Sequence, residues 1–430
     1  MGCTMQVNEY KKLIKPLALS GLLALTSGLA MAEEVPAGTV ISKDNLDSLQ
    51  DKTFEGIPVR DLLTDKFEMW IRNHNLTMKL GPSKEPELNP SYLDASKNKA
   101  GEARLNPDTK MVENYTAGIP FLDVSADDPN AGYKLAWNHY YANPITGDNW
   151  IAVGDVTVVE ADNGTVDRFE AISAKMLLEG RTAIEPTNVG NEDEHASYLL
   201  VLSKPYDVAG LGIFTKQYNT GKVDDAWAYV KSIRRTRRIA GGQSWMDPQP
   251  KMDLLNDDNQ AINAFPLWYT DWEVVDKRWI LGVTTAQNPN VEHEYSNLVE
   301  QSEPYWNPIN VTWEPKEVFV IEATPPAEHP YGKKVLYMDT NYPLIYHSEI
   351  YDKKGDFWRM WRQSYAPITT GNGEPALGFL HTQAIDFQRQ RATYIDIVSM
   401  KQNTPELTPE SFSPQVLKQA ASGELSDIAR

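Results

Sequence analysis

The chain has almost no cysteine. Cys3 is the only one in 430 residues, and it precedes the basic and apolar stretch of the N-terminus, whereas a lipid-acylated cysteine would follow it. After residue 3 the sequence therefore excludes disulfides, thiolate metal sites and a cysteine nucleophile. The fold has to be stabilised by the burial of a core.

An excess of positive charge is also missing. Lys and Arg number 41 against 59 Asp and Glu, which gives a net charge of −18. A surface this acidic repels nucleic acid, so nucleic acid is not an expected partner. After the N-terminus, no apolar run approaches the roughly 20 residues that a membrane-spanning helix needs.

Catalytic and metal-binding signatures are absent as well. The sequence contains no HExxH, GxSxG, P-loop or GxGxxG in a strand-to-helix context, and its seven histidines are scattered. The acidic run Asp253–Asp258 lacks the alternating oxygen ligands of a calcium loop. We expect no catalytic residue, no metal and no cofactor, although the geometry of a paired-carboxylate hydrolase site is not visible in a sequence.

The N-terminus has the three parts of a secretory signal. Lys11, Lys12 and Lys15 are basic, Leu17–Leu29 is apolar, and Ala30-Met31-Ala32 is a small-residue cleavage site. This pattern predicts a signal peptide over residues 1–32, cleaved after Ala32, and a soluble periplasmic product that carries no lipid anchor.

The rest of the chain is rich in strand-like runs. Between Trp313 and Trp361, β-branched and aromatic segments are joined by short turns, which predicts an antiparallel meander. Further runs with the same composition are Ile151–Glu160, Ser197–Ser203, Trp227–Ile233 and Thr393–Ser399. The fold class predicted is mainly β (α+β), built on a large antiparallel sheet.

An N-terminal arm precedes the strands. Apolar residues from Val59 to Ile71 recur at helical spacing after Pro58, and Pro82–Pro107 is a polar connection. The helix either packs on the sheet or forms a lid over a ligand, and both arrangements bury Trp70. Near the C-terminus, Ser411–Ala421 predicts a short helix.

Aromatic side chains are the best candidates for binding chemistry. Large rings with one polar edge suit a site that holds an apolar ligand, although they also fill ordinary cores. The candidates for a hydrophobic binding wall are Trp70, Trp227, Tyr229, Trp268, Tyr269, Trp272, Trp279 and Trp313. Alternation along a strand places Trp227 and Tyr229 on one face.

Four arginines stand close together in this acidic chain: Arg234, Arg235, Arg237 and Arg238. In an extended segment, Arg235 and Arg237 face one way and the other two face the opposite way. They form either surface ion pairs or a contact with a carboxylate or phosphate head group or a docking partner.

Four segments agree in order and wording with one protein family. They are Asp44–Leu80, Asn114–His139, Asp224–Gly241 and Trp313–Trp361. Together they resemble the "domain of unknown function 1329" family of Gram-negative periplasmic proteins, which is related in fold to the outer-membrane lipoprotein carrier proteins. The resemblance implies a sheet curled into an open half-barrel, lipoprotein-carrier-like, with helices packed at its mouth.

Function follows from the resemblance and the aromatic residues together. We expect a non-enzymatic carrier or binding protein for a hydrophobic small molecule or lipid. The resemblance implies a link between an inner-membrane exporter of the resistance-nodulation-division type and an outer-membrane protein. The alternatives are an envelope scaffold without ligand and a periplasmic hydrolase.

The predicted organisation has four parts. Residues 1–32 are the signal peptide, 33–107 the helical arm with its connection, 108–401 the half-barrel sheet domain, and 402–430 a short helix with a tail.

Overall fold

The computed structural model describes residues 32–142, 147–230, 233–239, 246, 248–249, 252–286, 299–301, 303–309 and 311–422. The α-helices are α1 (Leu46–Leu49), α2 (Asp65–His74), α3 (Pro90–Asn98), α4 (Ala131–Tyr141) and α5 (Val416–Ser422). The strands are β1 (Val40–Ile41), β2 (Thr53–Phe54), β3 (Ile57–Pro58), β4 (Met78–Leu80), β5 (Arg104–Leu105), β6 (Val112–Glu113), β7 (Asn149–Glu160), β8 (Gly164–Leu177), β9 (Glu194–Lys204), β10 (Gly212–Tyr218), β11 (Asp225–Val230), β12 (Arg235–Arg238), β13 (Asp271–Gly282), β14 (Val299–Glu300), β15 (Asn307–Pro308), β16 (Thr312–Thr324), β17 (Lys333–Asp339), β18 (Ile345–Tyr351), β19 (Phe357–Thr369), β20 (Pro375–Asp386) and β21 (Arg391–Gln402).

One sheet of 15 strands dominates the molecule. Its order is β1-β4-β16-β17-β18-β19-β20-β21-β7-β8-β9-β10-β11-β12, and β13 pairs with β16 beside β4. All pairs are antiparallel except β4 with β16. The edge strands β12 and β13 do not pair with each other, so the sheet stays open. The predicted class, a large antiparallel sheet in the form of an open half-barrel, is confirmed.

The predicted meander is also confirmed. Strands β16, β17, β18 and β19 follow one another in the sheet, and Asp352–Gly355 forms the turn between β18 and β19. The runs predicted around residues 151, 197, 227 and 393 are β7, β9, β11 and β21. Strands β7 and β9 bury nearly all of their side chains on both faces of the sheet, so burial does not alternate along them.

Two layers of core lie on opposite faces of the sheet. On one face, which we call the cavity face, Trp150, Tyr198 and Trp361 pack beneath α4 and the segment 252–268. On the opposite face, Met360 and Tyr394 pack against the N-terminal arm. The neighbouring part of that opposite face is covered by residues of α5.

The N-terminal arm forms a solid core with the sheet. Trp70 of α2 is fully buried, and its indole N–H donates to Asn307 Oδ1 at 2.8 Å. Phe67 lies 5.6 Å from Trp313, centroid to centroid, in an edge-to-face contact. The predicted helix begins too early, because Val59–Leu62 is a separate 3₁₀ turn and Leu63 is extended. The helix starts after Thr64, whose hydroxyl accepts from the N–H of Phe67.

Two other predicted segments need correction. The polar connection over residues 82–107 contains α3, which begins with Asn89 as N-cap and Pro90 at the first helical position. The C-terminal helix begins at Val416, after a 3₁₀ turn at Pro409–Ser411.

Strands of the arm belong to the main sheet. Val40 and Ile41 pair with β4, and β4 pairs with Thr312 and Trp313 of β16. The sheet therefore continues across the predicted boundary at residue 107, and the division into domains stays a prediction. The signal peptide, apart from Ala32, and the tail after residue 422 lie outside the described residues. Among the described helices, none has the length and apolar character to cross a membrane.

His347 on β18 is buried, and neither of its ring nitrogens has a hydrogen-bond partner among the described residues. Its ring stacks on Tyr337 at 3.9 Å and meets the edge of Phe67 at 4.9 Å. Burial, with a smaller contribution from Arg278, lowers the pKa of His347 to about 3. The folded protein therefore holds this ring neutral.

We predict that His347 makes the protein acid-labile. Between about pH 6.5 and pH 3 the unfolded chain binds a proton here and the folded chain does not. The free energy of unfolding should therefore lose about 1.4 kcal/mol per pH unit on acidification through this group. In His347→Leu that contribution should vanish, and urea unfolding between pH 6.5 and pH 4 checks it. Equal pH slopes for the two proteins would contradict the assignment.

Candidate ligand-binding site

An apolar cavity of about 50 Å³ lies between the cavity face and the segment 252–268, which we call the cover. Its lining comes from β7, β8, β9, β19, β20, β21, the cover and Gln249. The residues are Trp150, Gly154, Val156, Ala171, Ser173, Tyr198, Leu200, Gln249, Met252, Leu254, Asp258, Asn259, Gln260, Trp361, Gln363, Phe379, Thr382, Ile395 and Ile397. We call it the apolar chamber.

Strand alternation brings these side chains together. Gly154 and Val156 on β7 point to the chamber, and Ile395 and Ile397 do so from the neighbouring β21. A Cβ atom at Gly154 would stand only 3.1 Å from Ile395 Cγ2. A side chain at residue 154 would therefore compete with these two isoleucines for the space at the sheet surface.

The cover has a strained backbone where it crosses the chamber. Its 3₁₀ segment Asn256–Ala261 is broken at Asn259, which is extended. Gln260 has φ +55° and Ala261 has φ +74°, both in the left-handed region. Each such residue costs on the order of 1–2 kcal/mol, so the surrounding contacts must hold the cover in place.

Buried charges provide those contacts. Lys334 of β17 is fully buried, with its ammonium 3.0 Å from Asp257 Oδ2 and 2.8 Å from Asp258 Oδ1. It also donates to the carbonyl oxygens of Asp257 and Ala261, at 3.2 and 3.0 Å. We call Asp257, Asp258 and Lys334 the anchor, because they join the cover to the sheet.

Tyrosines complete the anchor. The Tyr269 hydroxyl donates to Asp257 Oδ2 at 2.6 Å, and the Tyr331 hydroxyl donates to Asp258 Oδ2 at 2.6 Å. Burial alone would raise the pKa of Asp257, but the Lys334 ammonium, His329 and the Tyr269 hydroxyl lower it well below its usual range. Both carboxylates therefore have partners although they are removed from water.

A second, polar cavity of about 20 Å³ adjoins the first. Asn259 and Gln260 of the cover line both cavities. The remaining lining residues are Ala136, His139, Tyr140, Ala142, Lys175, Ile262, Asn263, Ala264, Pro266 and Trp272. We call it the polar chamber.

Three of the predicted aromatic residues lie at the cover. Trp272 lines the polar chamber, and its indole N–H donates to the Pro266 carbonyl at 2.8 Å. Tyr269 belongs to the anchor. Trp268 is partly buried and donates to the Gly221 carbonyl at 3.1 Å.

The other predicted aromatic residues lie away from both chambers. Trp70 and Trp313 are buried between the arm and the opposite face. Trp227 and Tyr229 share one face, as alternation predicts, and that face packs with Phe214 on the side opposite the cavity. Trp279 is 37% exposed on the edge strand β13. A ligand-binding role for these residues stays a prediction.

The arginines lie at the free edge of the sheet. Arg235 and Arg237 are exposed on β12, and their register with β11 places them on the cavity face. Arg238 lies on the other face and pairs with Asp225. Arg234 has φ +51° and precedes the strand, so the expectation of an extended chain fails at this residue.

Sequence reasoning missed the rings that form the apolar chamber. Trp150, Tyr198 and Trp361 lie on strands that the sequence predicts, at positions consistent with one face. Alternation along a strand shows which residues share a face of the sheet, but it does not show on which of the two faces the cover will pack. Lys334 was missed because it follows the half-exposed Lys333 in a hairpin and looks like a surface residue.

The sequence matches a known family over most of its length. The family model described as "Protein of unknown function (DUF1329)" aligns with residues 40–418. No curated protein matches the chain.

Some solved structures are similar at low sequence identity. A DUF1329 family protein from Desulfovibrio piger has 18% identity and a TM-score of 0.43, covering 67% of this chain and 98% of its own. A putative outer membrane lipoprotein-sorting protein domain from Vibrio parahaemolyticus has 17% identity and a TM-score of 0.41, covering 63% and 91%. A LolA superfamily protein from Nitrosomonas europaea has 14% identity and a TM-score of 0.39, covering 63% and 92%.

We predict that the anchor is the most sensitive polar site of the fold. Lys334→Met leaves two buried carboxylates without their cation, which should lower the free energy of unfolding by about 3–5 kcal/mol. Lys333→Met is the matched control, because Lys333 forms a half-exposed pair with Glu322 at 2.8 Å. That change should cost no more than about 1 kcal/mol. Chemical denaturation of both variants checks the difference, and equal losses would contradict the anchor's role.

Proposed function

This chain belongs to the DUF1329 family of proteins of unknown function, and we propose that it is a periplasmic carrier or binding protein for a hydrophobic, lipid-like molecule. The observation that carries the proposal is the apolar chamber under the cover. It is lined mainly by aromatic and aliphatic side chains, with a few polar groups at its border. That combination is typical of sites for apolar ligands.

The chamber as it stands is small. Its volume of about 50 Å³ is far below the roughly 300–1,000 Å³ of small-molecule sites. A lipid-like molecule must therefore displace part of the cover. The left-handed residues Gln260 and Ala261 are the natural place for this movement, because strain stored there is released when the segment leaves.

Energetics favour a passive carrier. Burial of apolar ligand surface yields roughly 25 cal/mol per Å² before the costs of association. Displacing the cover re-exposes Met252 and Leu254, which offsets part of this gain. A long apolar chain buries enough surface to favour the protein with the cover displaced, whereas a small ligand does not. We propose no chemical step.

The predicted signal peptide supports a periplasmic location, where a carrier would link an inner-membrane exporter of the resistance-nodulation-division type to an outer-membrane protein. The free edge at β12 is the proposed docking surface. Arg235 and Arg237 stand there on the cavity face. A scaffold role without ligand would use this same edge, because an unpaired strand can accept another.

We predict that filling the apolar chamber abolishes lipid binding. Ser173 on β8 lines the chamber, and Ser173→Trp puts a ring into it. Purified native protein should release a bound lipid on organic extraction. A fluorescent apolar probe should bind at least about tenfold more weakly to the variant, which corresponds to a loss of about 1.4 kcal/mol in binding free energy. If Ser173→Trp does not fold because the ring overpacks the core, Ser173→Leu is the alternative variant, and its smaller side chain should weaken probe binding by a smaller amount.

The matched control is Thr165→Trp, at an exposed position of the same strand. Its probe affinity should equal that of the unmodified protein. The carrier proposal fails if no lipid is extracted and no apolar probe binds, or if folded Ser173→Trp binds the probe normally.

A second prediction concerns the arginine edge. Exchanging both Arg235 and Arg237 for Lys keeps the charge but removes the planar fork that grips a phosphate or carboxylate in two places. The free energy of unfolding should change by less than about 1 kcal/mol, because both side chains are exposed. Transfer of a fluorescent lipid from anionic vesicles should slow. Unchanged transfer would remove the docking role from this edge.

A further inference from the structure

Lys175 places a positive charge beside the apolar chamber. It follows Ser173 by two residues on β8 and faces the same side, so the two side chains stand about 7 Å apart along the strand. Its neighbours in register are Trp150 and Tyr198, both of which line the apolar chamber. The Lys175 side chain itself lines the polar chamber.

This ammonium has no partner within the part of the chain that the structure describes. No carboxylate oxygen lies within 4 Å of it, and it makes no side-chain hydrogen bond. Lys175 is partly exposed, whereas the two buried lysines of the described chain are paired: Lys316 with Glu314 at 2.9 Å, and Lys334 with the anchor. Burial lowers the pKa of Lys175 to about 8, with Asp224 opposing the shift, so it remains charged at neutral pH.

One carboxyl group, Asp224, interacts electrostatically with Lys175, and burial raises the pKa of that carboxyl group well above its usual range. Burial lowers the pKa of His139 to about 4, so this ring is neutral, and burial also lowers the pKa of His195. The nearby Glu179 is engaged by His195 Nδ1 at 2.9 Å. Lys175 is partly exposed on the wall of the polar chamber, and no carboxylate oxygen of the described residues lies within 4 Å of it, so an anionic ligand group can supply a close countercharge there.

On the basis of the carrier function proposed above, we propose that the ligand is an anionic amphiphile with a single alkyl chain and a carboxylate head. The head binds Lys175 in the polar chamber, and the tail fills the apolar chamber. The two chambers meet at Asn259 and Gln260, which belong to both linings. Movement of these two residues joins the chambers into one amphiphilic site. The polar chamber, at about 20 Å³, suits a compact head better than a phosphate ester or a sugar.

The test compares three probes that share one alkyl chain: palmitate, hexadecanol and hexadecyl phosphate. Each displaces a fluorescent apolar dye from unmodified protein and from Lys175→Met. A charge-assisted contact is worth about 1.5–3 kcal/mol, so unmodified protein should bind palmitate at least about tenfold more tightly than hexadecanol. Lys175→Met should bind the two equally and should keep its affinity for hexadecanol.

Further variants serve as controls for the result obtained with Lys175→Met. Lys175→Arg keeps the charge and should keep the preference for palmitate, which makes the proposal testable if Lys175→Met fails to fold. Asp224→Asn removes the nearest competing carboxyl group and should preserve the preference. Lys97→Met, at an exposed position of α3, is the control and should behave as unmodified protein.

The outcomes distinguish a failure of the carrier function from a failure of the head-group assignment. If no probe displaces the dye, or no dye binds, the carrier function itself fails. Equal affinity of unmodified protein for hexadecanol and palmitate overturns only the head-group assignment, as does a preference that survives in Lys175→Met. Tighter binding of hexadecyl phosphate than of palmitate overturns the carboxylate.

Discussion

The cover depends on three buried charges. Lys334 comes from the sheet and Asp257 and Asp258 come from the cover, and each alone would be costly to remove from water. Together with two tyrosine hydroxyls they satisfy one another, so the cover is held where its own backbone is strained at Gln260 and Ala261. A segment that is held by polar contacts and opposed by backbone strain can exist in two positions.

The two faces of the sheet have different tasks. The opposite face is covered by the arm, and Trp70 and Trp313 are buried between them. The cavity face is underfilled beneath the cover and changes from apolar to polar along β8, from Ser173 to Lys175. An asymmetric site of this kind selects both the tail and the head of a ligand, which a uniformly apolar pocket cannot do.

Much of the sheet can be predicted from the sequence, and most of the site cannot. The β-branched and aromatic composition identifies β7, β9 and β21, and alternation along β11 places Trp227 and Tyr229 on a shared face. Burial of Lys334 and the choice of Trp150 as a chamber wall depend on a cover that arrives from a distant part of the chain. The local composition of a segment does not indicate such long-range contacts. The early start predicted for α2 is a local error, because the Thr64 cap outweighs the helical spacing of Val59 and Leu62.

Hydrogen exchange of the cover tests the account most directly. The amides of Leu255 and Asn263 are bonded within the cover, to Asp258 Oδ2 and to the Asp257 carbonyl. If the cover opens locally to admit an alkyl chain, these amides should exchange faster than those of β20 and β21 in the free protein and should slow when palmitate saturates the site. Cover amides as protected as those of β20, or unchanged by palmitate, would contradict a ligand site beneath the cover.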